Sequence, residues 1–372
     1  MLLCGIDRQI GLIDRLSHAV SDRRHPGYIR HSVRDLLTQR IFQIASGYED
    51  GNDSQTLRHD PLLRLGAGRK PFDEDGALAS GATFSRFEHA ADSQDIYRAS
   101  QALVEQFIAG FATPPEVLVL DMDHSEDAVY GQQPLAFYNH HYRSTCYLPL
   151  FIFDGLSGAL VTAVLRPGKR PFGTENAMIM KRVLKLIRSR FPDTQILVRG
   201  DGHFATPELM HLCDSLPNTD FLFGLAGNNV LNGLAEPAMQ RARALSTTRL
   251  ASGESASVKL YEEFDYTARS WHKPFRVVLK AEVMTLGDNP RFVVTSLRLP
   301  EPQTVYVEVA GRKSRSLPSK PSCTQTDGGL PGVPAGGQSE TAELHTKACH
   351  SKIRAFGGCR YLLARHQSIA AL

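Results

Sequence analysis

Three aspartates stand where carboxylates can hold a metal ion. Asp121 and Asp123 close the apolar run from Glu116 to Asp123, and Asp201 sits between Gly200 and Gly202, directly after the run Gln195 to Arg199. Both runs are short, apolar and bounded by Pro or polar residues, which is the pattern of a buried strand. In a mixed α/β sheet, residues just past the carboxyl ends of neighbouring strands converge on one crevice. Carboxylates meeting there repel one another unless a cation lies between them. Hard oxygen ligands on few protein groups suit Mg²⁺ or Mn²⁺. Two such ions about 4 Å apart activate a water or a 3′-hydroxyl and stabilise the leaving oxygen of a phosphodiester. Against this stands the ordinary role of an Asp after a strand as turn former or helix cap. Asp121 and Asp123 share a strand face, and the pattern leaves both as candidates, with Asp123 nearer the strand end. His203 either lines this site or lies on the surface.

The elements that must position these residues follow from the rest of the chain. Residues 1 to about 115 read as helical. Ser32 caps a helix in which Val33, Leu36, Leu37, Ile41 and Ile44 recur at helical spacing, and a second helix runs from Ser93 to Phe111. Gly47 to Gly81 reads as turns around a short helix. Strands follow at Glu116–Asp123, Thr145–Phe153 and Ala159–Leu165. Then come a helix capped by Thr174, a strand at Gln195–Arg199, a helix at Pro207–Leu216 and a strand at Phe221–Leu225. Three strands, helix, strand, helix, strand is the order of a ribonuclease H-like α/β fold, with a meander joined to crossover strands. Later strand-like pieces, Ser257 to Phe264 and Phe275 to Val283, read as a β-rich insertion over 228–288, with Trp271 between them either stacking on a base or packing in a core.

Composition narrows the function classes. The chain has 372 residues, 42% hydrophobic and 22% charged, which is ordinary for a globular protein of two or three domains. Asp7, Arg8, Asp14 and Arg15 exclude a signal-peptide core near the start, so the expected location is cytoplasmic. No stretch approaches the length of a membrane helix. The six cysteines form no Cys-x-x-Cys pair and read as reduced thiols. Net charge is +3, but residues 310–372 carry about +6 and the remainder about −3. DNA binding by the body must therefore come from local basic patches. Arg23 and Arg24, in the turn Asp22 to Pro26, and Lys169 and Arg170 are the candidates for phosphate contact.

The residues also carry a family resemblance. Leu120 to Gln133, reading LDMDHSEDAVYGQQ, resembles the first catalytic block of DDE transposases of the bacterial insertion-sequence "thirteen-eighty" group. Ala163 to Pro171 resembles the segment after its third strand, Arg199 to Phe204 its second catalytic block, and Phe221 to Asn228 the strand that follows. Ser46 to Asp50 and Arg58 to Pro61 match its N-terminal region, and Asn289 to Thr295 the strand before its third block, so the likeness spans about residues 5–307. The resemblance implies that Asp123 and Asp201 are the first two catalytic, metal-binding carboxylates, with Asp121 as the alternative to Asp123. It implies Mg²⁺ or Mn²⁺ as cofactor, and DNA as partner in the form of terminal inverted repeats and target. A homodimer on paired ends, with no membrane, completes the implied assembly. The family's short strand before the segment equivalent to Ile6–Leu16 has no counterpart, so the resemblance implies a clipped start.

The match breaks after Tyr306. The family's third block, a helix bearing a glutamate, is replaced by Gly-, Pro-, Ser- and Arg-rich sequence. Glu308 is the nearest acid, in a strand-like run Thr304 to Val309, and the third carboxylate is left unassigned. The expectation is a catalytically impaired chain. Three of six cysteines fall in the tail, and the abrupt change in composition points to a shift of reading frame near Val307. The competing explanation is a basic nucleic-acid-binding extension. The expected organisation is a helical, DNA-binding 1–115, a core at 116–227 returning at 289–309, the insertion 228–288 and the aberrant tail 310–372. A non-catalytic remnant that occupies the inverted repeats is the alternative function.

Overall fold

The computed structural model describes residues 2–72, 76–253, 255–285, 287–298 and 301–310; the basic tail lies outside them, apart from Ala310. The described residues fall into two compact units, one ending at Ile96 and the other beginning at Tyr97. None of their helices is long and apolar enough to cross a membrane.

The first unit is helical, as its periodicity indicates. It holds α1 (Leu2–Ile10), α2 (Leu12–Ala19), α3 (Val33–Ala45), α4 (Ser54–Leu57), α5 (Pro61–Gly66), α6 (Gly81–Ala90) and the start of α7 (Ser93–Ala109). Ser32 caps α3 as expected: its hydroxyl accepts from Asp35 N and Asp35 accepts from Ser32 N, each at 3.1 Å. Leu36, Ala79 and Phe84 form a buried cluster. Gln39 locks the 77–79 segment to α3 by donating to Ala79 O at 3.0 Å and accepting from Ala79 N at 2.8 Å. Arg40 and Glu88 are buried together at 3.2 Å. Burial outweighs that partner and pushes the Glu88 carboxyl up from its ordinary range.

The second unit is a mixed α/β layer built on one sheet. Its elements in chain order are β1 (Val117–His124), β2 (Asp127–Ala128), β3 (Phe137–Asn139), β4 (Ser144–Tyr147), β5 (Leu150–Asp154), β6 (Leu160–Val164), α8 (Gly173–Arg190), β7 (Gln195–Gly200), α9 (Pro207–Ser215), β8 (Thr219–Leu225), α10 (Asn229–Ala251), β9 (Val258–Tyr266), β10 (Phe275–Met284), β11 (Gly287–Asp288), β12 (Arg291–Thr295) and α11 (Pro302–Thr304), which continues as a π-helical turn over Val305–Ala310. The main sheet runs β10-β12-β8-β7-β1-β5-β6, with β9 and β11 on β10. β1, β5 and β6 form the antiparallel meander, and β7 and β8 lie parallel to β1. β12 and β10 then add antiparallel strands beyond β8.

The two faces of the sheet differ. Alternate residues Leu118, Leu120, Met122, Ile196, Val198, Phe221, Phe223, Val277 and Val294 join α7, α8, α9 and α10 in one large core. The opposite face carries Asp121, Asp123, Leu197, Arg199, Leu222, Val278 and Val293. On it the π-helical turn after α11 packs through Val305 and Tyr306 against Leu197, Leu222, Val278 and Val293.

Several expectations are corrected here. Thr145–Phe153 is two strands, because Pro149 has no N–H to continue a ladder; β4 belongs to a small separate sheet, β2-β4-β3, and β5 to the main one. The helix read as capped by Thr174 begins at Gly173 after Phe172. The 228–288 segment opens with the 23-residue α10, whose Leu231, Ala235, Ala238, Met239 and Ala242 are buried at helical spacing despite Pro237. Its strands widen the main sheet instead of standing apart from it. The strand-like run Thr304–Val309 is helical: Pro302 starts the turn and Val305 is buried against the sheet. The return segment 289–309 is therefore one strand followed by a helix. The two compact units divide at Ile96 and Tyr97, inside α7, whose Val104 and Phe107 pack into the sheet core.

Candidate active site

The ladder between β1 and β7 sets the site. Asp121 pairs with Arg199 at the last step of these parallel strands; Asp123 lies two residues further along β1, and Asp201 follows the end of β7 at Gly200. Arg199 is 3% exposed and donates Nε and Nη2 to the two carboxylate oxygens of Asp121, both at 2.6 Å. Asp121 is thus the counter-ion of a buried guanidinium. Asp123, near the end of β1, and Asp201, just past the end of β7, are both exposed.

Asp201 is shaped by its own loop. His203 N donates to Asp201 Oδ1 at 2.9 Å, and His203 Nδ1 lies 3.6 Å from Oδ2. That carboxylate contact raises the imidazole above its ordinary range. Phe204 anchors the loop: it is fully buried, and its ring stacks on His124 at 4.7 Å with the planes 3° apart. A Cβ on Gly200 would lie 2.6 Å from that ring, so the turn into Asp201 needs glycine.

A third structure is tied to the chain just past β1, where Ser144 Oγ donates to Glu126. The hairpin β3–β4 carries at its tip His140, His141, Tyr142 and Arg143, all exposed. Burial first, then the negative charges of Asp123, Glu126 and Asp201, hold the Tyr142 hydroxyl above its usual range, so both candidate carboxylates act on it electrostatically. The segment after β6 clamps the hairpin. Arg166 is buried and pairs with Glu175 at the start of α8 at 2.5 and 2.7 Å. Asn139 Nδ2 donates to Gly168 O at 3.2 Å, and Lys169 Nζ lies 4.1 Å from the centre of the Phe137 ring. A Cβ on Gly168 would meet Cys146 O at 2.1 Å and Phe137 O at 2.8 Å. Gly168→Ala must therefore push β3 and β4 off the loop. We expect it to cost about 1–3 kcal/mol, seen as a lower melting temperature and new proteolytic cuts between residues 130 and 145. An unchanged digestion pattern would remove the clamp from this description.

The site residues fit a divalent cation. Both donors are hard carboxylate oxygens, and Mg²⁺ takes one or two carboxylates with waters and substrate phosphates in place of a full protein cage. Among the described residues no group of three His, Cys, Asp or Glu side chains gathers to hold a metal. Glu308 lies in the helical turn that follows α11.

The remaining candidates separate. Lys169 and Arg170 are exposed beside the hairpin, and the charge of Arg170 reaches His203. Arg23 instead pairs with Asp92 at 2.5 Å and Asp95 at 3.3 Å, while Arg24 pairs with Asp22 at 2.7 Å and donates to His31 O at 2.9 Å. Those two arginines brace the first unit, a role no local pattern announces because Arg23 and Asp92 are 69 residues apart. Trp271 packs edge-on against Tyr266 and Phe275. Cys4, Cys146 and Cys213 carry no disulfide. Sequence reasoning passed over Tyr142, Asn139 and Arg166, which act through contacts between distant segments.

Comparison with known proteins gives one family. The family model Transposase DDE domain group 1 matches residues 1–314. No curated protein matches. Among solved structures, a piggyBac transposase synaptic complex with hairpin DNA is similar at 12% identity and a TM-score of 0.39, over 80% of this chain and 61% of that one. The chain thus spans about three-fifths of that relative. An Endonuclease V of Ciona intestinalis, in complex with an inosine-containing DNA, is similar at 12% identity and a TM-score of 0.24, over 55% of this chain and 83% of that one.

Proposed function

This chain belongs to the DDE transposases, group 1, and on that premise we propose that it is an insertion-sequence transposase of the "thirteen-eighty" type. In this reading it acts in the bacterial cytoplasm on terminal inverted repeats and target DNA, as a homodimer on paired ends. The observation that supports the reading is the parallel pairing of β1 and β7, whose adjacent carboxyl ends carry Asp123 and, one residue past the strand, Asp201. The sheet order β6-β5-β1-β7-β8 supports a ribonuclease H-like core, interrupted after β8 by α10 and the strands that widen the sheet. The helical region up to about residue 115 is then the DNA-binding part.

Asp123 and Asp201 would hold Mg²⁺ or Mn²⁺. When bound, such ions lower the pKa of an attacking water or hydroxyl and balance charge on the leaving oxygen. Asp121 neutralises Arg199 and keeps β1 and β7 in step. Lys169 and Arg170 meet the phosphate backbone beside the carboxylates. Glu308 is the acid on the helical segment that packs on the carboxylate face, but it lacks the neighbours that accompany the family's third carboxylate. The reading is therefore of an impaired enzyme, in which two carboxylates do the work of three. The frame shift near Val307 accounts for that loss.

Incubation of the full chain with supercoiled plasmid tests this. Slow, Mn²⁺-dependent nicking is expected, absent in EDTA. Retardation of a duplex bearing the flanking inverted repeats, with no Mn²⁺-dependent nicking at all, would favour the non-catalytic remnant. Neither activity would overturn the assignment.

A further inference from the structure

We propose that the tip of the β3–β4 hairpin, with Tyr138 and Tyr142 as its rings, is a stacking platform for an unpaired nucleotide of the DNA strand whose phosphate lies at Asp123 and Asp201. The inference rests on the transposase reading and deepens it.

Four observations carry it. First, the hairpin spends aromatic surface on water. Tyr138 is 56% exposed and Tyr142 36%, and each meets a neighbouring histidine ring edge-on, at 5.2 and 4.8 Å. Second, the tip is shaped by specific bonds. Asn139 Oδ1 accepts from His141 N at 3.0 Å and from Tyr142 N at 3.4 Å, while its Nδ2 reaches Gly168 O. One side chain therefore folds the turn and ties it to the basic loop. Third, Arg143 is in the left-handed region at φ 56°, a conformation that a side chain of this size rarely adopts. Such a cost persists where the surroundings enforce it, and it sits here beside the candidate site. Fourth, the surroundings are matched to a polyanion that carries bases. Arg143, Lys169 and Arg170 supply positive charge at the hairpin and its clamp, Ser144 at the base of the tip donates to Glu126, three residues after Asp123, and the charges of Asp123 and Asp201 act on Tyr142.

The chemistry selects the occupant. A base inside a duplex is stacked on both sides and offers no free face to a tyrosine. A base drawn out of the duplex does, and every base has such a face, so the platform tolerates any sequence. Cutting and transferring a strand end requires that end to leave the duplex. A ring beside the reacting phosphate holds the neighbouring nucleotide while it does so.

The test is fluorescence anisotropy of the full-length chain in EDTA, with fluorescein-labelled oligo(dT) and a labelled duplex of the same length as probes. Tyr138→Ala and Tyr142→Ala are each expected to weaken oligo(dT) binding about tenfold, as loss of one base–aromatic stack does. Duplex binding is expected to stay unchanged, and Tyr142→Phe to bind oligo(dT) like the parent. Equal loss of both probes in the alanine variants, or oligo(dT) binding retained by both variants, would overturn the platform. If the parent chain nicks plasmid in Mn²⁺ but the alanine variants keep their oligo(dT) affinity, the platform alone fails. If the parent neither nicks nor binds either probe, the transposase reading fails with it.

Discussion

Asp123→Ala and Asp201→Ala are each expected to bring Mn²⁺-dependent nicking down to the metal-free background. A held divalent ion contributes several kcal/mol to stabilising the charge that develops at the phosphate, about a thousandfold in rate. Either variant removes one of the two carboxylates at the adjacent carboxyl ends of β1 and β7, and the remaining one is a weak site by itself. Glu308→Ala is expected to leave the residual rate within about twofold, because the reading assigns no third ligand there. Free Mn²⁺ measured by electron paramagnetic resonance provides a readout independent of turnover: affinity should fall in the two aspartate variants and hold in the third. A Glu308→Ala chain as dead as the other two would mean that the triad is complete and that the chain is not impaired.

Asp121→Ala should behave in the opposite way, failing in stability before it fails in catalysis. Arg199 is buried and both its carboxylate bonds come from Asp121. Removing one partner of a buried ion pair leaves an uncompensated charge, at a cost of about 3–5 kcal/mol. For a unit of this size that is a fall in melting temperature of roughly 6–20 °C. Asp123→Ala and Asp201→Ala, at exposed positions, should stay within about 0.5 kcal/mol of the parent. Replacing both partners, as Asp121→Leu with Arg199→Met, should recover much of the loss, since a well-packed apolar pair matches a buried ion pair in stability. Should Asp121→Ala melt with the parent while losing nicking, Asp121 and not Asp123 would be the first metal ligand.

The sequence made the centre of the sheet legible because local signals there agree. β1 and β7 are apolar runs ending in aspartates, and α3 announces itself through Ser32, Asp35 and the helical spacing of Leu36 and Ile44. What stayed hidden depends on distant partners. The run Val305–Val307–Val309 has the period of a strand, yet the chain forms a helical turn there because Val305 is buried on Leu222, Val278 and Val293. Tertiary packing overrode a β-branched pattern. In α10, Gly233 and Pro237 mask a stripe of small residues that only becomes a helix face once β9 and β10 lie beneath it. Asp121 and Asp123 are equivalent by spacing, and the arginine that separates their roles is 78 residues away. The hairpin tip has no periodicity to read; its order comes from Asn139 and the glycine of a loop 29 residues on.

The ion pair between Asp121 and Arg199 also bears on how errors are avoided while the sheet assembles. A slip of one residue between β1 and β7 would turn every side chain of β1 to the other face, sending Asp123 into the apolar core and Leu120 or Met122 out to the carboxylate edge. In that slipped sheet Arg199 would lose both bonds to Asp121, in a place so tight that a Cβ on Gly155 would lie 2.5 Å from Arg199 Nη2. Proofreading of alignment is thus built into the residue that stands two places before the candidate ligand: a chain that has not matched Asp121 to Arg199 has not set Asp123 at the exposed end of β1 either. The contact that lets the strands join is thus also the one that decides which aspartate of β1 is held by Arg199 and which stays exposed.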